Sequence, residues 1–408
     1  MNDKIETTGP LRGIRILDLS RILAAPLATQ LLGDLGAEVI KVERPGVGDD
    51  SRQYGPPFFG EPSDRNSGFY LSANRNKQSI TVDHSDPRGA ALIRELAGSS
   101  DVLVENFRTG VLAKYGLDFE SLRQHNPRLV YCSVTGFGQD GPYAMRAGYD
   151  GVFQAMSGMM SVSGIPDGEP GAGPMKVGVS MVDVLAGLYT STAILAALRH
   201  RDRTDEGQHI DVSLLDCGVA SLSHYVQNYL VSGVQAPRRG NGGFGGIPSQ
   251  AFRCSDGNDI FVVASTPKQF SGLAAALGGP ELVDDPRFAT VSARIENRDF
   301  VLEVLSKIFV TEPVDYWVEK LEAADVPCSP VNSMKEVFDN PQVQHRQLLR
   351  RTEEDGLALV GNPIRFSESP VTTYRVPPRL GEHTDAVLRD YLSMSQDEIN
   401  ALRADEVI

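Results

Sequence analysis

Cysteine is scarce: Cys132, Cys217, Cys254 and Cys328 are the only four in 408 residues, and no two form a CxxC pair. That scatter excludes a disulfide framework or a zinc knuckle and suits a reducing cytosol. The seven histidines form no HxxH or HxxxH pair, so no protein-bound metal is expected. Positive charge is also short, with 39 Lys and Arg against 53 Asp and Glu, a formal net charge of −14. A nucleic-acid or anionic-membrane footprint needs clustered positive potential, so neither partner is expected. A small anionic ligand held by a few Arg or Lys residues stays open.

The opening "MNDKIETTGP" lacks the basic and apolar regions of a signal peptide. No clean membrane span appears either. The longest apolar stretch, Met181 to Leu198, is interrupted by Asp183, Tyr189 and several Thr and Ser, and reads as a buried helix. A cytoplasmic location is the expectation. Standard catalytic signatures are missing as well: there is no Gly-x-Ser-x-Gly elbow, P-loop or GK[ST] step.

What is present alternates. "GIRILDLS" (13–20) reads as a strand, "APLATQLLGDLG" (25–36) as a helix, and "AEVIKVE" (37–43) as a second strand. Strands at 79–83, 101–106 and 128–134, with a helix at 87–98, continue the pattern. Such units predict an α/β fold with a Rossmann-like parallel sheet covered by helices on both faces. Glu43 even falls near the place of a ribose-binding acid. Yet the turn that should carry the glycine fingerprint reads "LSRILAAPLA" (19–28), without a glycine. The literal GxGxxG match, "GNGGFG" (240–245), follows no strand and opens no helix, so a nicotinamide cofactor is not expected.

Two glycine-rich loops stand out, 164–178 and 238–250. The second has five glycines in seven residues at 240–246. As a plain connector that is costly in chain entropy, and a mobile cover over a site is the more economical reading. Residues 250–330 look like a separate unit, with a hairpin at Asp256-Gly257 and helices near 267–278, 294–309 and 313–324.

Between the loops lies "VGVSMVDVLAGL" (177–188), an apolar run with Asp183 near its middle. Asp is a preferred helix N-cap, a role Ser180 could share, and the following residues are helical. A carboxylate at a helix N-terminus is also favoured as the anion, and a fixed, partly desolvated anion is a usable nucleophile. On the residues alone both readings stand.

That stretch belongs to an ordered set. "LRGIRILDLSRILAAPLATQLLGDLGAEVIKVERPGVGDDSR" (11–52), "NRNKQSITVD" (74–83), "VENFRTGVLAKYGLD" (104–118), "VTGFGQDGPYAMRAGYD" (134–150) and "GQHIDVSLLD" (207–216) make up the rest. Together they resemble the class III CoA-transferases of the formyl-CoA:oxalate type, and most closely the succinyl-CoA:glutarate branch. The resemblance implies that Asp183 is the nucleophile, passing through an acyl–aspartyl anhydride and an aspartyl-CoA thioester. Coenzyme A and acyl-CoA would be substrates, with no permanently bound cofactor. It implies that Arg21, Ile22 and Ala24 border the thiol end of a CoA site. Arg44, Asn106, Phe107, Lys114 and Arg146 would line its nucleotide and phosphate end, with Arg75, Lys77 and Arg108 as further basic candidates. Gly242, Gly243, Gly245 and Gly246 would form the lid, and Tyr149 and Asp150 lie on the possible substrate side.

The resemblance also implies an interlocked homodimer. Its large domain would be built from 1–205 and a C-terminal part, joined by a linker at 206–230 to a smaller α+β domain at 231–328. Residues 329–408 would be a linker and the returning part of the large domain. The nearest rival is a 2-methylacyl-CoA racemase of the same fold. There a histidine pairs with the aspartate, whereas here "AGYD" places Tyr149 at that position, and a phenol is a poor base near neutrality. A non-catalytic acyl-CoA-binding protein is the other alternative.

Overall fold

A computed structural model of the chain describes residues 8–62, 65–243, 245–352 and 356–408. The chain divides into two compact units. The first comprises 1–160, 176–235 and 346–408, and the second comprises 161–175 and 236–345.

The first unit is built on six strands: β1 (Arg15–Asp18), β2 (Glu38–Glu43), β3 (Lys77–Thr81), β4 (Val102–Glu105), β5 (Val130–Thr135) and β6 (His209–Ser213). All pair in parallel, in the order β3-β2-β1-β4-β5-β6. The predicted parallel sheet is therefore present. Its strand order reverses between β1 and β4, the switch point where open α/β sheets bind ligands beyond their strand ends. Residues 206–230, expected as a linker, hold β6 and two helices instead.

Side-chain alternation feeds both faces. Leu17, Ile40, Ile80 and Leu103 point into one core, against helix Pro87–Gly98 and the C-terminal helices Thr384–Leu392 and Gln396–Ala404. Ile16, Val39, Val102, Val104 and Val130 point into the other. That second face is covered by α1 (Ala24–Asp34) and by α2 (Met181–Thr204), which contributes Val182, Ala186, Ile194 and Leu198. Helix α2 is the one helix among the described residues long and apolar enough to cross a membrane, and here it packs on the sheet.

Beneath the strand ends lies a buried ionic layer. Asp18 closes β1 and Lys77 opens β3, and both side chains are fully buried with Nζ 3.0 Å from Oδ2. Lys77 also donates to the Asn74 side chain and to the Pro26 carbonyl. Lys41 on β2 pairs with Asp49 at 3.0 Å and donates to the Ser20 carbonyl at 2.7 Å. Glu43 receives Arg52 through both oxygens, at 2.8 and 2.6 Å. Each charge is matched and hydrogen-bonded, the condition under which buried ions are tolerated.

The second unit has its own core, formed by the antiparallel strands Ser249–Arg253, Asp259–Val263 and Cys328–Pro330 with helices Pro267–Ala276, Arg298–Phe309 and Val314–Ala323. The Asp256-Gly257 turn joins the first two strands as expected, with Gly257 at φ 81°.

Removing one half of a buried pair strands the other charge. Lys77→Met should therefore lower stability by about 3–5 kcal/mol in urea unfolding. The double variant Asp18→Asn/Lys77→Met should recover part of that loss.

Candidate active site

The loops after β1, β4 and β5 and the starts of α1 and α2 enclose a cavity of about 320 Å³. Asn106, just past β4, locks the switch point. Its Oδ1 accepts from the Arg21 amide at 2.9 Å and its Nδ2 donates to the Arg21 carbonyl at 2.7 Å. The next residue, Ile22, has φ +75°, a true outlier for a β-branched residue. Its amide is held by both oxygens of Asp49, at 3.1 and 3.2 Å. Asp49 is in turn fixed by Lys41 and Ser51, which hold its carboxyl down at about 2 against the opposing cost of burial. The ionic layer thus maintains a strained backbone at the cavity wall, where such strain accompanies function.

Asp183 lines the same cavity, in the first turn of α2. It does not cap its helix, and neither does Ser180, which stands at the N-cap without a side-chain bond. The cap comes from Asp150, at the start of the short helix Asp150–Met156. Its Oδ1 accepts from the Val182 and Asp183 amides at 2.8 and 3.3 Å, and its Oδ2 accepts from Gln154 at 2.7 Å. Asp150 therefore reaches the site as a cap, while the Asp183 side chain is left for the cavity.

The expectation that the helix terminus would hold Asp183 as an ordinary anion needs correcting. Burial, and then the neighbouring Asp150 carboxylate, push its carboxyl up to about 7. A desolvated carboxylate of raised basicity is a stronger nucleophile once ionised.

One further residue shapes the site and was not singled out from the sequence. Gly187 sits four residues after Asp183, on the same helix face. A Cβ there would lie 2.8 Å from the Ala24 carbonyl oxygen, so glycine lets the N-terminus of α1 approach α2 beside Asp183. The i,i+4 spacing of Asp and Gly was the available signal.

The structure sorts the other expected residues. Arg21, Ile22, Ala24, Asn106, Phe107, Arg146 and Tyr149 line the cavity with Asp183 and Asp150. Arg44 lines an adjoining cleft of about 70 Å³ that shares Arg21 and Phe107 with it and also holds His84 and Val82. Lys114 is exposed on a 3₁₀ turn and lines neither cavity. Arg75 and Lys77 are consumed inside the fold, paired with Asp34 at 2.5 Å and with Asp18. They are structural cations, not ligand contacts.

Gly242, Gly243, Gly245 and Gly246 belong to the second unit. A Cβ on Gly243 would press on Ser249, and one on Gly246 on the Ser265 backbone, while Gly245 has φ +103°. Close packing and backbone sign account for Gly243, Gly245 and Gly246.

With this geometry in view, the comparisons with known proteins are decisive. The family model "CoA-transferase family III" matches residues 11–384. The chain belongs to CoA-transferase family III. It is 42% identical over 402 residues to a human succinyl-CoA:glutarate CoA-transferase, covering 98% of this chain and 90% of that one. It is 45% identical over 399 residues to a succinate–glutarate CoA-transferase of Agrobacterium fabrum, covering 96% and 98%. Among solved structures, a CAIB/BAIF family protein from Brucella suis superimposes with a TM-score of 0.86 at 41% identity, over 94% of this chain and all of that one. The protein is a class III CoA-transferase, and CoA thioesters are its substrates.

Two outcomes follow from the geometry. A protonated carboxyl is no nucleophile, so if Asp183 attacks the donor, kcat/KM for the acyl-CoA should fall tenfold per pH unit below about 7 and level off above it. Asp150→Asn keeps a cap acceptor but removes the charge, so it should move that break to lower pH in steady-state assays. Gly187→Ala should separate α1 from α2, lowering kcat by roughly ten- to a hundredfold at a stability cost of about 1–3 kcal/mol in thermal unfolding.

Proposed function

We propose that this transferase moves CoA from succinyl-CoA to a short free dicarboxylate through covalent intermediates on Asp183. The observation that carries the reading is the division of labour at the start of α2. Asp150 occupies the helix amides, leaving the Asp183 carboxylate facing the switch-point cavity. Exchange of CoA between acids without an external energy source requires an enzyme carboxylate that stores the activation energy.

The Asp183 oxygen attacks the donor thioester carbonyl and expels CoA thiolate, giving a mixed anhydride. The thiolate then attacks the aspartyl carbonyl, releasing the donor acid and leaving an aspartyl-CoA thioester. The acceptor carboxylate attacks that thioester, forming a new anhydride and freeing thiolate. Attack of the thiolate on the acceptor acyl carbonyl yields the new acyl-CoA and restores the Asp183 carboxylate.

The adjoining cleft, with Arg44 at its rim and His84 edge-on to Phe107 at 5.1 Å, suits the adenine nucleotide end of CoA. Arg21, Asn106 and Arg146 lead from it toward Asp183. In this reading Gly242, Gly243, Gly245 and Gly246 form the cover that keeps water from the anhydride. The succinate and glutarate specificity is supported by the two relatives named above.

The working form is an interlocked homodimer. Helix His224–Ser232 buries none of its residues, and Leu230 and Val231 are 69% and 78% exposed. Large exposed apolar side chains of this kind mark a surface meant to be covered.

Incubation with succinyl-CoA should yield an Asp183–CoA adduct, detected by mass spectrometry and released by hydroxylamine, and glutarate should then appear as its CoA thioester. Asp183→Ala should abolish both while keeping the fold, since the helix cap is Asp150. Retained transfer in that variant, or no new thioester with any free dicarboxylate, overturns the proposal.

A further inference from the structure

Four buried acids of the first unit, Asp18, Asp34, Glu43 and Asp49, each face a lysine or an arginine. Asp150 is spent on helix amides. Glu105 has no such balance. It closes β4, is 5% exposed and makes no ion pair among the described residues.

Its bonds run sideways across the sheet instead. One carboxyl oxygen accepts from the Phe107 amide at 2.8 Å, and the hydroxyl of Ser133, its register partner on β5, also bonds the carboxyl. The Ser133 oxygen in turn stands 3.0 Å from Nε2 of His209, which opens β6. Two rings set the imidazole, Phe119 stacked on it at 5.5 Å and Tyr131 edge-on at 5.4 Å. Three neighbouring strands thus carry one chain of hydrogen bonds from a buried acid to an exposed histidine.

A hydroxyl has one proton to give, so Ser133 can donate to Glu105 or to His209 but not to both. With Glu105 protonated, its O–H donates to Ser133, and Ser133 donates to a bare Nε2. With Glu105 ionised, Ser133 donates to the carboxylate, and the Nε2–H of His209 donates to Ser133. Between the two states the carboxyl proton passes to the serine oxygen as the serine proton passes to Nε2, and the Nδ1 proton leaves to water. One proton is released and the histidine ends neutral.

The surroundings favour the neutral acid. Burial, opposed by the Ser133 and Phe107 bonds and assisted by Asp211 on β6, pushes the Glu105 carboxyl up to about 7. Burial also lowers the His209 imidazole, against Asp211 and Glu120. Arg108 and Asp118 line a cavity of about 60 Å³ together with Glu105, Ser133 and His209. Tyr131 and Cys132 on β5 are raised by burial and by Glu105 itself. At the other end of the chain, Phe107 lines both the Asp183 cavity and the adjoining cleft. An ion pair shows little net charge to a ligand, whereas a lone ionised carboxylate shows a full one, and CoA is a polyanion.

We propose that Glu105 is a positioning residue that anchors the Phe107 turn as a neutral acid, and that its ionisation, coupled through Ser133 to His209, weakens the hold on CoA. This rests on the CoA path described above, along Arg21, Asn106 and Phe107, and adds the group that sets its charge.

The test measures free CoA binding by calorimetry from about pH 6 to about 8.5. The Asp183→Ala background removes the other carboxyl that titrates near 7 and blocks turnover. In that parent the dissociation constant should rise about three- to tenfold across the range. Glu105→Gln keeps an acceptor for the Phe107 amide and a donor for Ser133 but cannot ionise. It should keep the low-pH constant throughout, apart from the slope due to CoA's own phosphate. Ser133→Ala and His209→Phe remove donors that favour the anion, so each should move the break upward by about half a pH unit or more. Circular dichroism checks that the variants fold.

A pH course in Glu105→Gln that matches the parent overturns the proposal. So does a break left in place by both Ser133→Ala and His209→Phe. Weaker CoA binding by Glu105→Gln at every pH overturns it too, because the anion would then be the holding form. Arg21→Ala checks the underlying path: it should weaken CoA at every pH, and an unchanged constant there refutes the path, a result distinguishable from the Glu105 outcomes.

Discussion

The carboxylate of Asp150 determines what Asp183 can do. A helix start must satisfy its first amides, and the nearest acid in the sequence, Asp183 itself, would serve if nothing else did. By supplying that acceptor from a different helix, Asp150 leaves the Asp183 side chain without a structural duty. It also places a second negative charge close by, which after burial raises the basicity of the Asp183 carboxyl. The same contact thus frees the Asp183 carboxyl and tunes it.

The buried ions beneath the sheet play the complementary part for the opposite wall. Lys41 neutralises Asp49, Asp49 grips the Ile22 amide, and Ile22 holds a left-handed backbone that brings the chain into α1 at the required angle. Asp18 and Lys77 tie the end of β1 and the start of β3 to the first turn of α1 through the Pro26 carbonyl. Rigid positioning of catalytic groups depends on support of this kind behind them.

Much of this was legible in the sequence, and what was not has a common cause. The alternation of apolar strands and helices sufficed for a parallel sheet, because period and turn signals are local. The lack of a glycine in the first turn argued against dinucleotide binding. Asp183 was visible as an isolated acid, but its cap was not, because Asp150 lies 33 residues away and only folding brings it there. Arg75 and Lys77 looked like ligand contacts because charge is ordinarily a surface property. Their partners, Asp34 and Asp18, stand 41 and 59 residues distant. The glycines at 242–246 suggested motion by composition, whereas their close neighbours, Ser249 and Ser265, could be seen only in three dimensions.

Glu43 shows how far this sheet has moved from its nucleotide-binding cousins. It stands at the end of the second strand, where such folds keep an acid for a ribose. Its oxygens are taken by Arg52, by the Ser79 hydroxyl at 2.6 Å and by the Asp49 amide at 2.9 Å. The acid that could greet a sugar has become a keystone. Grafting a glycine fingerprint onto the first turn would therefore not recreate a dinucleotide site. It would open a loop toward a carboxylate with no lone pair to spare, and freeing that carboxylate would unseat the arginine and the turn that shapes the cavity. Shared architecture here does not mean interchangeable chemistry: the route from one use of this sheet to the other runs through its interior.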